Sequence, residues 1–220
     1  MSQLKIERVH DDFEMEPVKG LPEKPPAGEE ILWQGRPEVW RLAVETLKLK
    51  WVAGYFVLLC LWRFVGQLDL LPLGQAIGAA VPFLMLGLVT CGLLLLVALA
   101  QARATVYTVT DARVVMRIGA ALTLTLNIPY TQVSNAMLDL RKGGTGSIAL
   151  ETMGETPLSY LTCWPHVRPW HFRKAQPALR CIPEAEKVAA LLADAAQARV
   201  SVPQVARVTP APSLGTVAAE

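Results

Sequence analysis

A glycine-rich segment and three histidines are the residues of this chain that most resemble a catalytic or ligand-binding motif. The segment Lys142–Gly146, KGGTG, has the composition of a phosphate-binding loop, but it lies between two predicted strands and reads as a hairpin turn. His166 and His171 are five residues apart among prolines and aromatic residues, and His10 is distant from both, so their spacing favours no metal site. The sequence also lacks an HExxH motif and a nucleophile elbow. We therefore expect a protein that is not an enzyme and that has no metal or cofactor.

A second candidate site is the segment 156–183, which contains four basic residues and no acidic ones. Basic side chains attract anionic lipid headgroups, and tryptophan favours the membrane interface. The segment is a candidate for docking on the cytoplasmic leaflet or on a partner protein, although a solvated or core-packed loop explains the same composition. The net charge of +2 is too small to indicate nucleic acid. The interleaved residues are Trp164, Arg168, Trp170, Phe172, Arg173 and Lys174.

The element that must position these residues is a long apolar segment, 70–102, which contains no charged residue. A helix of this length would extend for about 50 Å, whereas a bilayer core requires only ~20 apolar residues. We predict a transmembrane helix near Ile77–Leu99. The alternative, a buried helix of a soluble domain, would carry a polar stripe that this segment lacks.

A shorter apolar segment, 49–68, precedes the long one. Its uncharged run, 51–62, is shorter than a span of ~20 residues, so Lys50 and Arg63 would have to lie near opposite interfaces and snorkel. We predict a first transmembrane helix here, with a helix lying partly in the membrane as the alternative. The residues 67–73 would then form a tight loop between two antiparallel spans.

An amphipathic helix is predicted from Glu38 onward, with Trp40 and Trp51 as interfacial anchors. Three basic residues precede or open the first span and Arg103 follows the second, whereas the intervening loop offers only Arg63 and the acidic Asp69. The positive-inside rule therefore predicts that both termini lie in the cytoplasm.

Small residues recur along the long apolar segment. Gly74 and Gly78 form a GxxxG motif, and Gly87 with Cys91 forms a second pair of small residues. Such spacing lets helices approach closely. The pattern predicts helix packing, either between the two spans or with a partner, but it also occurs often by chance in apolar runs.

From Thr105 the hydrophobic period changes to two. Strands are predicted at 105–110, 113–118, 122–128, 132–140, 147–151 and 157–161, which indicates an antiparallel meander. The segment 184–199 has helical periodicity, with Pro183 before it and acidic residues in its first turn. A curled sheet closed by a C-terminal helix is the outline of a pleckstrin-homology-like fold.

One short strand is predicted before the apolar segments. Ile31 and Trp33 would point to one face of it and Leu32 to the other, because side chains repeat every two residues. A strand of this length has no stability alone, so it must pair with the sheet that begins at Thr105. This requirement makes Trp33 a candidate residue on which the fold depends.

Three runs of residues resemble the bacterial pleckstrin-homology domains that are fused to membrane spans. They are GEEILWQGRP at 28–37, YTVTDARVVMRIG at 107–119 and LTLNIPYTQVSNAML at 124–138, with the hydrophobic hairpin between the first and the second. In that family the segment before the hairpin donates a strand to the domain after it, which implies this role for 30–35. The family carries no catalytic residues to transfer.

Further runs at 10–38, 139–150 and 164–183 resemble the photosynthetic complex assembly proteins of purple bacteria, and the resemblance covers about 10–197. It implies a non-enzymatic assembly factor in the bacterial inner membrane. Its partners would be reaction-centre subunits, including the H subunit, the core antenna and membrane lipid, and self-association stays open. The alternative function is a membrane-tethered lipid- or protein-binding module with a general envelope role.

The predicted architecture is therefore a two-span helical hairpin with a cytoplasmic, β-rich pleckstrin-homology-like domain. Residues 1–28 would form a flexible acidic tail and 29–37 the donated strand. Residues 38–103 would form the amphipathic helix and the hairpin, 104–199 the domain, and 200–220 a disordered tail.

Overall fold

The computed structural model describes residues 18, 20–21, 23–120, 123–141, 143–153 and 158–201. Most of the predicted N-terminal tail and residues 202–220 of the predicted C-terminal tail lie outside the described residues. The elements are, in chain order, β1 (Ile31–Gly35), α1 (Val39–Glu45), α2 (Leu49–Val65), α3 (Leu73–Ala104), β2 (Val106–Thr110), β3 (Arg113–Ile118), β4 (Leu124–Pro129), a 3-10 turn (Tyr130–Gln132), β5 (Val133–Leu140), β6 (Gly146–Thr152), α4 (Tyr160–Cys163), β7 (Ala178–Ile182) and α5 (Ala185–Ser201).

Helices α2 and α3 pack against each other as an antiparallel hairpin. Leu49, at the start of α2, belongs to a buried cluster with Ala98, near the end of α3. Farther along the hairpin, the Cys60 thiol lies 3.6 Å from the carbonyl oxygen of Ala80. The two helices therefore contact each other along most of their length, and the chain returns to the end at which it entered.

Helix α3 is the one described helix that is long and apolar enough to cross a membrane. It has 32 residues, nine more than the predicted core of the span, and only 11% of its most apolar window is buried. The core helix of a soluble protein would instead have most of its apolar window buried. Helix α2 has 17 residues, or about 25 Å at 1.5 Å per residue. The structure therefore leaves the predicted two-span arrangement unconfirmed.

The residues after α3, together with β1 from before the hairpin, form two antiparallel sheets with α5 packed on them. One sheet has the order β1-β2-β3-β4 and the other the order β5-β6-β7. The alternation of β4 is visible in its burial, because Leu124, Leu126 and Ile128 are buried and the residues between them are not. On α5, Val188, Leu192 and neighbours at helical spacing face the same core. The largest fully buried side chains of this core are Tyr107, Met116, Ile118, Tyr130, Ile148, Leu150, Leu179 and Ile182.

Strand β1 pairs with β2 although the whole hairpin separates them in sequence. Gln34 and Thr108 are 74 positions apart and their side chains form a 3.0 Å hydrogen bond. The register shifts by one residue between Ile31 and Trp33, which makes Leu32 the extra residue of a bulge. The expectation that Ile31 and Trp33 share a buried face is therefore wrong, since Ile31 is 39% exposed whereas Trp33 packs against the core.

The segment after β6 departs most from the sequence prediction. The predicted strand at 157–161 is wrong where the structure describes it, because Tyr160–Cys163 forms the short helix α4. Pro157 itself lies outside the described residues. The strand that completes the second sheet is instead β7, which was not predicted. All five of its residues are buried, so it lacks the alternation that marks a strand with one solvated face.

Candidate functional site

The site begins at the elbow between α1 and α2. Helix α1 ends at Glu45, and Lys48 adopts φ 56°, so the chain turns sharply before α2. Leu42 of α1 is buried between Ala102 of α3 and Cys181 of β7. The Glu38 amide also donates to the Cys181 carbonyl at 2.8 Å. Helix α1 therefore fixes the end of the hairpin against the second sheet.

A cleft of about 960 Å³ opens beside this elbow, and we call it the elbow cleft. One wall is the end of α1, the second is the face of β5, β6 and β7, and the third is the segment between α4 and β7. The charged and aromatic side chains that line it, with one threonine, include Glu45, Thr46, Lys48, Asp139, Arg141, Tyr160, Trp164, Arg168, Trp170, Phe172 and Arg180. The elbow cleft thus joins residues from distant parts of the sequence.

Arg180 of β7 carries the buried charge of the elbow cleft. Arg180 as a whole is only 7% exposed. One terminal nitrogen donates to the Val167 carbonyl at 3.3 Å and the other to the Thr46 hydroxyl at 3.2 Å, while Nε has no hydrogen-bond partner in the structure. Both partners are neutral. The guanidinium therefore joins α1 to the segment before β7 but has no carboxylate beside it.

Arg168 presents a second guanidinium to the same cleft. Its Nη1 donates to Gln176 Oε1 at 3.0 Å and also contacts the Met137 sulfur. Neither Arg168 nor Arg180 has a carboxylate of the described residues within 4 Å. The two carboxylates that line the cleft, those of Glu45 and Asp139, instead form ion pairs with Arg141.

The aromatic residues of the predicted surface form the rim of the cleft. Trp170 is 84% exposed, Phe172 62% and Trp164 42%. The Phe172 ring lies 4.6 Å from the Tyr160 ring and 6.2 Å from the Trp170 ring, measured between centroids. Large apolar side chains rarely remain in water as a contiguous group unless they contact a partner or a membrane. The rim is thus a candidate interaction surface.

Two residues of the predicted surface lie outside the cleft lining. Arg173 is exposed, and Lys174 forms a 3.5 Å ion pair with Glu151 of β6. The structure therefore brings together Trp164, Arg168, Trp170 and Phe172 but not the two consecutive basic residues that follow them.

Behind the cleft, a buried network attaches the end of α3 to the domain. His166 Nε2 lies 3.0 Å from the Thr105 hydroxyl, and its Nδ1 lies 2.5 Å from the Tyr107 hydroxyl. Tyr107 accepts the Arg180 amide hydrogen at 3.2 Å, so its own proton is free to be donated to Nδ1. Neutral imidazole then donates from Nε2 to Thr105. Thr105 follows α3 directly, which places the network at the junction of hairpin and domain.

Burial determines the ionisation of this network. Desolvation, assisted by the nearby charge of Arg180, lowers the pKa of His166 to about 3. Burial also raises the pKa of Tyr107 far above its ordinary value. His166 is therefore neutral at physiological pH and is a structural residue. His171 lies at the rim, 2.8 Å from the Pro169 carbonyl. Among the described residues, no group of three or more potential ligands could hold a metal ion.

The three glycines predicted for helix packing differ in their surroundings. A Cβ built on Gly87 would lie 2.7 Å from the Phe56 Cβ, so this glycine permits the close contact of α2 and α3. A Cβ on Gly74 or Gly78 would meet nothing within 4 Å. These two positions are open on the surface of α3.

Trp33 differs from the exposed aromatic residues of the rim, because it packs partly buried against the main core. Its indole covers Gly35, where an added Cβ would overlap the ring. Trp33 is therefore a packing residue of the donated strand.

Sequence reasoning did not select Arg180, Lys48, Arg141 or Tyr160. Arg180 was visible only as one of the basic residues of 156–183. Thr46 and Arg180 are 134 positions apart, so no local pattern links them. The useful signal was an arginine within a short apolar run, which marks a buried charge.

The comparisons with known proteins agree with this architecture. A sequence model described as the bacterial PH domain matches residues 55–196, which is more than half of the chain. This chain belongs to the bacterial PH domain family. The match begins within α2, so the matched range covers the rest of the hairpin and excludes β1.

The chain is also similar to a curated protein from Rhodobacter capsulatus described as "Uncharacterized 23.7 kDa protein in puhA 5'region". The two are 49% identical over 201 residues, which cover 88% of this chain and 92% of that relative. No solved structure matches this PH domain protein.

Proposed function

We propose that this protein is a membrane-anchored, non-enzymatic factor that helps to assemble or stabilise the photosynthetic reaction centre. The relative is named for its place in the 5′ region of puhA, a photosynthesis gene. The sequence resemblance is to PuhB, the photosynthetic complex assembly protein of purple bacteria. The proposed partners are reaction-centre subunits, including the H subunit, and the core antenna, reached through protein–protein contacts.

The observation that supports this function best is that the chain combines an exposed apolar surface on α3 with an exposed aromatic rim at the elbow cleft. The most apolar window of α3 is 11% buried, and Trp170 is 84% exposed. A membrane would cover the first surface, and a partner at the membrane face would cover the second. The buried network at Thr105 and His166 holds the two surfaces in a fixed relation. Such a protein can present one docking surface at a constant height above the bilayer.

The proposed location is the bacterial inner membrane, including its intracytoplasmic form, with both termini in the cytoplasm. Strand β1 precedes the hairpin and β2 follows it, and the two are paired. Both flanks of the hairpin therefore lie on the same side of any membrane that the hairpin enters. Reporter fusions at Ser2 and Glu220 should both report the cytoplasm, and a fusion near Leu70 should report the periplasm. Opposite locations for the two ends would refute this topology.

The function is tested by deletion and complementation under phototrophic growth. Deletion should lower the abundance and near-infrared absorbance of the reaction centre, and the wild-type chain should restore both. A variant with Trp170→Ala and Phe172→Ala should accumulate normally but restore little. The matched control, Leu161→Ala with Met153→Ala, removes two exposed apolar side chains (83% and 56%) outside the cleft lining and should complement fully.

Unchanged reaction-centre abundance after deletion would refute the assembly function. The second candidate, a lipid- or protein-binding module with a general envelope role, is favoured by the guanidinium groups at the elbow cleft that lack a carboxylate partner. Growth defects in the deletion strain under non-phototrophic conditions, with normal reaction centres, would select that candidate.

A further inference from the structure

The elbow cleft contains more positive charge than its own carboxylates balance. Lys48, Arg141, Arg168 and Arg180 line it, against Glu45 and Asp139. Both carboxylates approach Arg141, at 3.7 and 2.8 Å. Among the described residues, the guanidinium groups of Arg168 and Arg180 hydrogen-bond only to neutral groups.

A buried charge without a counter-charge is costly, because its hydration is lost and no ion pair replaces it. Arg180 is 7% exposed and its Nε has no partner in the structure. Its field reaches neighbouring groups, since it contributes to the lowered pKa of His166. An anion in the cleft would offset this cost. Phosphate fits the geometry best, since guanidinium groups bind its oxygens with directed, charge-assisted hydrogen bonds.

An exposed apolar face of α2 begins within one helical turn, in sequence, of a residue that lines the cleft. Lys48 lines the cleft and immediately precedes α2. Trp51, Tyr55, Leu58 and Trp62 follow at spacings of four, three and four residues, so they share one face of the helix. Their exposed fractions are 79%, 56%, 63% and 80%. A ligand with a phosphate group and long hydrocarbon chains matches the cleft and this face together.

We propose that the elbow cleft binds the phosphate of an anionic phospholipid, with the acyl chains along the exposed face of α2. Arg168 and Lys48 contact the headgroup from the wall and the elbow, and Arg180 supplies positive charge from the floor. Trp170 and Phe172 line the same cleft at its rim. The inference rests on the membrane association proposed above and is independent of the assembly role.

The test measures lipid binding to the full-length protein in a mild detergent by native mass spectrometry. Phosphatidylglycerol is titrated in, with phosphatidylcholine as the zwitterionic comparison. The variant Lys48→Gln with Arg168→Gln should weaken phosphatidylglycerol binding about tenfold or more, since a hydrogen bond to a charged group commonly contributes this much. The matched control, Lys187→Gln with Arg199→Gln, removes two exposed cations of α5 and should bind as the wild type does.

Folding of each variant is checked by protection of the buried thiol of Cys163 against alkylation. Arg180→Gln should weaken binding further. If the Arg180→Gln variant does not fold, the double variant at Lys48 and Arg168 still tests the proposal, because Lys48 is exposed and Arg168 is partly exposed.

Equal binding of phosphatidylglycerol by the cleft variant and the control would overturn the proposal. Equal retention of phosphatidylcholine would also overturn it, since the net negative charge of the headgroup would then make no contribution to binding. Displacement of the lipid by millimolar inorganic phosphate would identify a site for free phosphate instead. Unchanged lipid binding with a loss of protein cross-links at the rim would assign the cleft to an acidic protein partner. None of these readouts depends on photosynthetic growth, so they separate this proposal from the assembly function.

Discussion

The substitution Trp33→Ala tests whether the strand before the hairpin is part of the domain after it. Trp33 pairs with Val109 of β2 and packs partly buried against the main core. Its ring also covers Gly35 at the end of β1. We expect the substitution to destabilise the second part of the chain, although the hairpin lies between the two in sequence.

The magnitude follows from the partial burial of the indole. Replacing a fully buried aromatic side chain by alanine costs roughly 3–5 kcal/mol. Because Trp33 is only partly buried, we expect about 2 kcal/mol. With a urea dependence of about 1–3 kcal/mol per molar for a domain of this size, the unfolding midpoint should fall by roughly 1 M.

The assay must follow the domain and not the hairpin. Cys163 is 1% exposed, belongs to the same core as Trp33, and burial raises the pKa of its thiol to about 11. It should therefore react with an alkylating reagent only after the domain opens. Pulse alkylation across a urea gradient, read by mass spectrometry of the Cys163 peptide, gives the domain midpoint. The Cys91 peptide reports the hairpin separately, because Cys91 lies in α3.

The matched control is Leu32→Ala in the same strand. Leu32 is the extra residue of the bulge and is 37% exposed, so its loss should shift the midpoint by no more than a few tenths of a molar. A soluble fragment 104–197 should likewise be less stable than the same fragment fused to 28–37. If Trp33→Ala and Leu32→Ala gave the same Cys163 midpoint as the wild type, β1 would not be part of the folding unit and the split-domain argument would fail.

Three further predictions concern ionisation and packing. The free energy of unfolding should fall as the pH drops from about 6.5 towards 3, by about 1.4 kcal/mol per pH unit at most, because burial lowers the pKa of His166 to about 3 and the unfolded chain then binds the additional proton. His166→Gln should reduce this slope in urea titrations between pH 7.5 and 5, and an unchanged slope would contradict the assignment. Glu29→Gln should cost about 1–2 kcal/mol in the same assay at pH 7, since its carboxylate accepts two hydrogen bonds from Arg113, at 2.8 and 2.9 Å, in a partly buried pair; a cost that vanishes would place the pair among ordinary surface ion pairs. Gly87→Ala should lower the thermal stability of the hairpin in detergent, because the added methyl meets Phe56, whereas Gly78→Ala should not; equal effects would contradict the packing described for α2 and α3.

Local patterns predicted most of the strands and the two long helices. The alternation at 122–128 agrees with burial of one face of β4, and the apolar length of 70–102 agrees with the long, exposed apolar helix α3. Strand β7 was missed because both of its faces are buried, so its residues do not alternate. The bulge at Leu32 was missed for a different reason. A register shift depends on the partner strand, and the sequence of β1 does not show it.

The aromatic rim could be predicted from sequence, but the charges beneath it could not. Trp170 and Phe172 are close in sequence, and their exposure agrees with the pattern of alternating basic and aromatic residues. The environment of Arg180 depends on Thr46, from a helix that precedes the entire hairpin. The break between α1 and α2 also carried no glycine or proline signal, because Lys48 is the residue with φ 56°.

The position of the elbow cleft follows from how the hairpin is attached. If α3 met the domain through a free linker, the cleft would have no fixed depth relative to a bilayer. Instead, Thr105 is hydrogen-bonded to His166 directly after α3, and Arg180 is bonded to Thr46 at the end of α1. These two attachments lie on either side of the hairpin and converge on Tyr107, which contacts both His166 and the Arg180 amide. Arg180 itself attaches β7 to the end of α1. An anion that neutralises Arg180 would therefore act on a residue that fixes the domain to the hairpin.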